Sequence, residues 1–201
     1  SAGELDETKL PYIIRCASHN LNLVAGKDAA DAEANKKYAT VKKRFMDKVE
    51  YLWKRQGIST LDAETIVRHV GARLPRPNQT RWNAYYDCLK FLKEKIDHKD
   101  DQFRGLLDEV GQRHFDAEEL LFLTEWLNLQ APIAEALDSL QGDVGLGYAL
   151  PHVLGVQQLL EEERRKLHED SVCRPLAKAL KSGVHRRFHD YFESDEWIVA
   201  A

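Results

Sequence analysis

Tyr38, Val41, Phe45, Val49 and Leu52 recur at steps of three, four, four and three residues. That spacing gathers all five on one stripe of an α-helix and leaves the lysines between them on the far side, whereas a strand would scatter them over both faces. Tyr85, Leu89 and Leu92 repeat the spacing, as do Phe103, Leu106, Leu107 and Val110. The chain therefore reads as almost wholly helical. Helices are predicted over residues 17–30, over 36–56 with Gly57 as the stop, from the Ser59 cap to about residue 70, and over 81–95 and 101–110. Three longer ones follow over 116–140, 150–168 and 171–192. Leu74-Pro75-Arg76-Pro77-Asn78 breaks the run before the Arg81 helix, and residues 141–147, with three glycines, read as the main internal loop. The one β-branched run bounded by a breaker is Pro11-Tyr12-Ile13-Ile14-Arg15-Cys16, a single strand without partners.

At 201 residues, 43% hydrophobic and 31% charged, the chain is long and apolar enough to bury one substantial core. Cys16, Cys88 and Cys173 are widely spaced and form no Cys-x-x-Cys clip, which suits a reducing compartment. No apolar run nears the roughly 18 residues that cross a bilayer, and the acidic start is unlike a signal peptide. A soluble, intracellular protein without a membrane partner is the expectation.

The net charge of −4 is unevenly spread. Residues 36–104 carry 17 Lys and Arg against 9 Asp and Glu, while residues 105–201 carry 9 against 18. A basic middle segment can neutralise nucleic-acid phosphates, or it can dock on its own acidic half. Lys42, Lys43 and Arg44, with Lys36, Lys37 and Lys48, form its densest cluster. At residues 81 and 82 an Arg and a Trp stand side by side at a predicted helix start, joining a fixed cation to a large π-face, a combination suited to a phosphate and an unstacked base. Asn83 adds a hydrogen-bonding group and Thr80 a cap. The alternative is that Trp82 packs beneath the Pro75–Pro77 loop. Trp53 and Trp126 lie on apolar stripes and read as packing residues.

Cys16 and His19 resemble half a zinc site with no second half, since Cys88 and Cys173 have no neighbouring ligand and His185 and His189 are only an i, i+4 pair. No Gly-rich phosphate loop is present, and no nucleophile with base and orienter can be assembled.

Two elements together resemble the hAT superfamily of DNA transposases and their domesticated relatives: Cys16-Ala17-Ser18-His19-Asn20-Leu21-Asn22-Leu23, a Cys-x-x-His element, and Thr80-Arg81-Trp82-Asn83, a Thr-Arg-Trp-Asn element. The helix over 126–140 and Arg187-Phe188 add weaker likeness. The resemblance implies an all-α multi-helix bundle with a short N-terminal strand remnant of an RNase H-like core. Residues 1–34 would be that remnant and residues 35–201 the α-helical insertion domain. It implies that the chain supports the core and contacts transposon-end DNA through Arg81, Trp82, Asn83, Lys42, Lys43 and Arg44. His19 would lie near the active site of the complete core.

In such enzymes three carboxylates hold divalent metal, Mg or Mn, and the motif order places them outside this chain. Asp6 lacks the apolar strand that would present it, so the chain alone is expected to be inactive and to hold no cofactor. The implied partners are transposon-end DNA, the rest of the core and a second copy of the chain, in the nucleus. A domesticated protein-interaction module without a DNA role is the alternative from another class.

Overall fold

The computed structural model describes residues 16–78, 82–140 and 149–193, and the side chains of all of these except Trp82, Phe192 and Glu193. These residues form eight α-helices and no strand. Most of the predicted strand over 11–16, the loop over 141–147 and Arg81 lie outside them. Cys16 is exposed, on extended backbone immediately before the first helix.

Helix α1, Ala17–Leu23, runs into one π-turn, Val24–Asp28, and a 3-10 segment, Ala29–Ala34. The single helix predicted over 17–30 thus changes pitch twice. After the buried Leu21, Val24 and Ala25, the next inward position falls on Asp28. A carboxylate at 2% exposure needs cations, and it finds Arg186 at 2.7 Å and Arg187, which binds it through two guanidinium nitrogens.

Helix α2, Lys36–Ile58, buries Tyr38, Val41, Phe45, Met46, Val49, Leu52 and Trp53, the stripe expected from its spacing. The Asn35 side chain caps it, accepting from the Tyr38 amide at 3.0 Å. Asn35→Ala is expected to lower unfolding stability by ~1 kcal/mol, read as a lower urea midpoint at unchanged slope; an unchanged midpoint would show the cap to be idle.

Gly57 does not stop this helix. The chain stays helical through it to Ile58, and Ser59 closes α2 while its hydroxyl accepts from the Asp62 amide at 3.2 Å to open α3, Thr60–Val70. A Cβ at 57 would meet the Arg76 guanidinium at 2.5 Å, the far end of an exposed and flexible side chain that can swing aside. The left-handed stop comes instead at Gly71, with φ of 84°. Beyond it the Gln56 amide holds the Pro-rich segment, donating to the Leu74 carbonyl at 2.9 Å and accepting from its N–H at 2.7 Å.

Helices α4, Trp82–His98, α5, Asp100–Glu109, α6, Ala117–Ser139, α7, Ala149–Lys166, and α8, Arg174–Glu193, complete the described chain. Helix α6 is the central post. Its buried residues, among them Phe122, Leu123, Leu129, Ile133 and Leu137, surround the helix, and it packs against α1, α2, α4, α7 and α8. Residues 17–34 share the core with α8, whose Leu180 and Phe188 are fully buried. Asn20 ties α1 to α8 by donating to the Tyr191 hydroxyl at 3.0 Å. Trp53 and Trp126 are both buried and stand 6.1 Å either side of Tyr85, edge to face, so α2, α4 and α6 meet through one aromatic ladder.

Candidate nucleic-acid interface

The cations of α2 owe their positions to its stripe: once Tyr38, Val41 and Phe45 face inward, Lys36, Lys37, Lys43 and Arg44 must point away from the core or along its rim. Lys42 reaches Glu33 on the 3-10 segment at 2.6 Å. Lys43 pairs with Asp47 one turn on at 2.7 Å, and the two side chains are 74% and 58% exposed. Such an exposed i, i+4 pair contributes only about 0.3–0.5 kcal/mol, so Lys43 exchanges partners readily.

Arg44 is held far more firmly. Its Nη2 lies 3.0 Å from both Asp116 and Glu118, and its Nε donates to Glu119 at 3.0 Å. The hydrogen bond it donates to Glu118 is the largest influence on the guanidinium, whose pKa is raised further above its ordinary value. Lys48 sits beside it, with Nζ 2.6 Å from Glu119 and donating to the His114 carbonyl at 2.7 Å.

These carboxylates belong to the start of α6. Asp116 and Glu119 form a reciprocal capping box, the Glu119 amide donating to Asp116 at 2.9 Å and the Asp116 amide donating to Glu119 at 2.8 Å. Glu119 is wholly buried. One carboxylate therefore caps α6 and binds α2 at the same time. The basic middle segment does dock, here, on carboxylates of the acidic half.

Arg81 and the side chain of Trp82 lie outside the described residues. Helix α4 begins at Trp82, and its second residue, Asn83, points inward at 6% exposure, donating through Nδ2 to the Ala134 carbonyl at 3.2 Å and to Asp138. It joins α4 to α6. Asp87, one turn later, has its carboxyl raised by partial burial and by the nearby Asp138 charge. Of the residues singled out for DNA, then, Lys42, Lys43, Arg44 and Asn83 each have a partner inside the protein. The Asp116-x-x-Glu119 spacing before an apolar run is a local helix-start signal, but nothing local marked the link of Glu119 to Arg44 and Lys48 or that of Asp138 to Asn83, because those partners are distant along the chain.

His19 is exposed on α1. Among the described residues no three His, Cys, Asp or Glu side chains converge as a metal site, and the acidic group of Asp116, Glu118 and Glu119 is already filled by Arg44 and Lys48. The described residues therefore do not fit the divalent-metal centre of a complete transposase. No described helix is long and apolar enough to cross a membrane. No family model, curated protein or solved structure matches this chain.

Proposed function

We propose that this chain is the helical insertion region of a hAT-like DNA transposase, or of a nuclear protein descended from one, that braces an RNase H-like core and touches transposon-end DNA without cleaving it. The observation carrying this reading is the pair of motifs, in order, set on a helical body: Cys16 and His19 open α1, and Trp82 opens α4 directly after the Pro-rich segment pinned by Gln56. An indole stacks on an unpaired base and a guanidinium binds a phosphate, the chemistry that Trp82 and Arg81 bring to the second motif. Lys42 and Lys43 add charge through exposed pairs that a polyanion can displace. Arg44 is spoken for by three carboxylates, so its contribution to DNA is small.

A second reading, a domesticated protein-interaction module, draws on that same neutralisation and on exposed apolar side chains at the α2–α3 junction, where Ile58 and Leu61 are 69% and 72% exposed. The experiment that separates the two is binding to a flapped or hairpin DNA across a salt series. The first reading expects affinity that falls steeply with salt and drops by roughly 5- to 150-fold in Trp82→Ala, the loss of one base stack of about 1–3 kcal/mol. Absence of binding at low salt, or binding indifferent to Trp82→Ala and to Lys42→Gln with Lys43→Gln, favours the protein-interaction module.

A further inference from the structure

A groove of about 1060 Å³ runs between the 3-10 segment, the start of α2, the end of α7 and the first turns of α8. Small side chains line it from two sides, Ala32 and Ala34 on the 3-10 segment and Pro175 and Ala179 on α8. Cations line it as well: Lys37 from α2, Arg164 from the last turn of α7, and Arg174, Lys178 and Lys181 from α8. The last three stand at steps of four and three residues, so one face of α8 carries them all, and Pro175, Ala179 and Ser182 repeat the spacing on the adjoining face. Against these five cations the lining sets two carboxylates, Asp31 and Glu169. The excess runs against its surroundings. Residues 105–201 carry only 9 Lys and Arg against 18 Asp and Glu, yet four of the nine gather here.

The protein neutralises these cations poorly. Arg174 and Lys178 are exposed; Arg174 has the His168 carbonyl at 3.4 Å, and Lys178 has no hydrogen bond or ion pair among the described residues. Lys37 reaches Glu118 at 4.0 Å, while Arg164 and Lys181 share Glu161 at 2.6 and 3.0 Å. The basic face of α2 is different, for Lys42, Lys43, Arg44 and Lys48 each have a carboxylate within 3.0 Å. Spaced cations on an open helix face are ordinarily just solvated. Those of α8 border a concave wall, which concentrates their field on whatever enters.

We propose that this groove is a docking site for an extended, acidic peptide segment of a partner protein, its main chain lying along Ala32, Ala34, Pro175 and Ala179 and its carboxylates meeting Lys37, Arg174 and Lys178. Size agrees, because the space stands at the upper end of the roughly 300–1,000 Å³ that small molecules occupy and suits a length of chain. Wall chemistry separates a peptide from a nucleic acid. None of the described lining residues is aromatic, so unpaired bases have no ring to stack on, whereas short side chains let a peptide backbone come close. The site does not depend on DNA contact through Lys42 and Lys43, which lie outside its lining.

The test uses the whole chain and three probes: a fluorescein-labelled eight-residue peptide alternating Glu and Val, its counterpart with Gln for Glu, and an eight-nucleotide oligothymidylate. Binding is followed by fluorescence anisotropy and by amide NMR shifts at Ala32, Ala34, Ala179 and Ser182. The Glu peptide is expected to shift these amides saturably, more weakly as salt rises, with the Gln peptide roughly tenfold weaker. Arg174→Glu with Lys178→Glu should weaken the Glu peptide roughly tenfold or more, since two exposed ion pairs give way to repulsion. Lys54→Glu with Lys90→Glu makes the same charge change at exposed positions outside the lining and should alter binding by less than about twofold. Ala34→Trp, an exposed change that fills the groove at constant charge, should weaken binding roughly tenfold. The idea is overturned if the Glu peptide fails to bind at millimolar concentration in low salt, if the Gln peptide binds as well, or if the two double variants weaken binding equally. Unchanged binding in Ala34→Trp overturns it too, as does oligothymidylate shifting these amides at lower concentration than the Glu peptide.

Discussion

Asp28→Ala is expected to destabilise the protein by about 3–5 kcal/mol, the range for breaking a buried ion pair from one side. The substitution strands the Arg187 guanidinium, whose side chain is only 14% exposed, while Arg186 at 59% returns to water at little cost. Chemical denaturation of the variant reads the effect directly, and a loss below about 1 kcal/mol would mean that water already screens this pair. Asp28→Leu with Arg187→Met should recover much of the loss, because the penalty comes from an unpaired charge and not from a missing attraction. Gly183→Ala should hurt through the same spot from the other side, since its Cβ would stand 2.8 Å from both Cβ and Oδ2 of Asp28.

The pH dependence follows from the direction in which Asp28 is displaced. Burial by itself would raise its carboxyl, but the hydrogen bonds and charges of Arg187 and Arg186 together outweigh it and hold the pKa below its ordinary value. A carboxyl depressed in the folded state contributes stability that is present above the unfolded pKa of about 3.9 and is lost as pH falls through the lower folded value. Acid unfolding of the parent should therefore be steeper below about pH 4 than that of Asp28→Ala. Equal slopes would remove Asp28 from the acid transition.

Glu119→Ala is the second large effect, expected at about 3 kcal/mol or more. The change removes the Glu119 side of the α6 capping box, a loss of roughly 1 kcal/mol, and leaves the Lys48 ammonium, 11% exposed, with the His114 carbonyl and the Phe115 ring as its remaining partners. Glu119→Gln keeps an acceptor for the Asp116 amide and should cost markedly less. If the two variants are equally unstable, the lost charge outweighs the lost cap. A comparison with Glu118→Gln, an exposed change, separates stability from surface charge: under the transposase reading it should strengthen DNA binding slightly by releasing Arg44.

Helix α2 was legible because its information is local. Five apolar residues at helical spacing must share one face whatever surrounds them, and the same logic located α3 through α8 to within a few residues. The boundaries that moved did so where packing overruled local preference. Gly57 reads as a stop when taken alone, yet Ser59 caps the next helix and Arg76 lies across the glycine. Residues 17–30 look like one helix, but regular α-helix ends at Leu23, and the turn after it closes on Asp28, bound to Arg187 159 positions later.

The candidate site divides along the same line. Periodicity and helix-start chemistry act within a turn or two, so the chain's own order was enough to put Lys42, Lys43 and Arg44 on the outer side of one helix, Trp82 at the start of another, and Trp53 and Trp126 toward the core. Folding in three dimensions added what no segment carries alone: Arg44 enclosed by Asp116, Glu118 and Glu119, Asn83 turned inward to Asp138, and the Gln130 amide joined to the Ala25 carbonyl. Each of those depends on helices brought side by side from more than 50 residues apart. Charge pairing and cavity shape arise only where those distant helices meet.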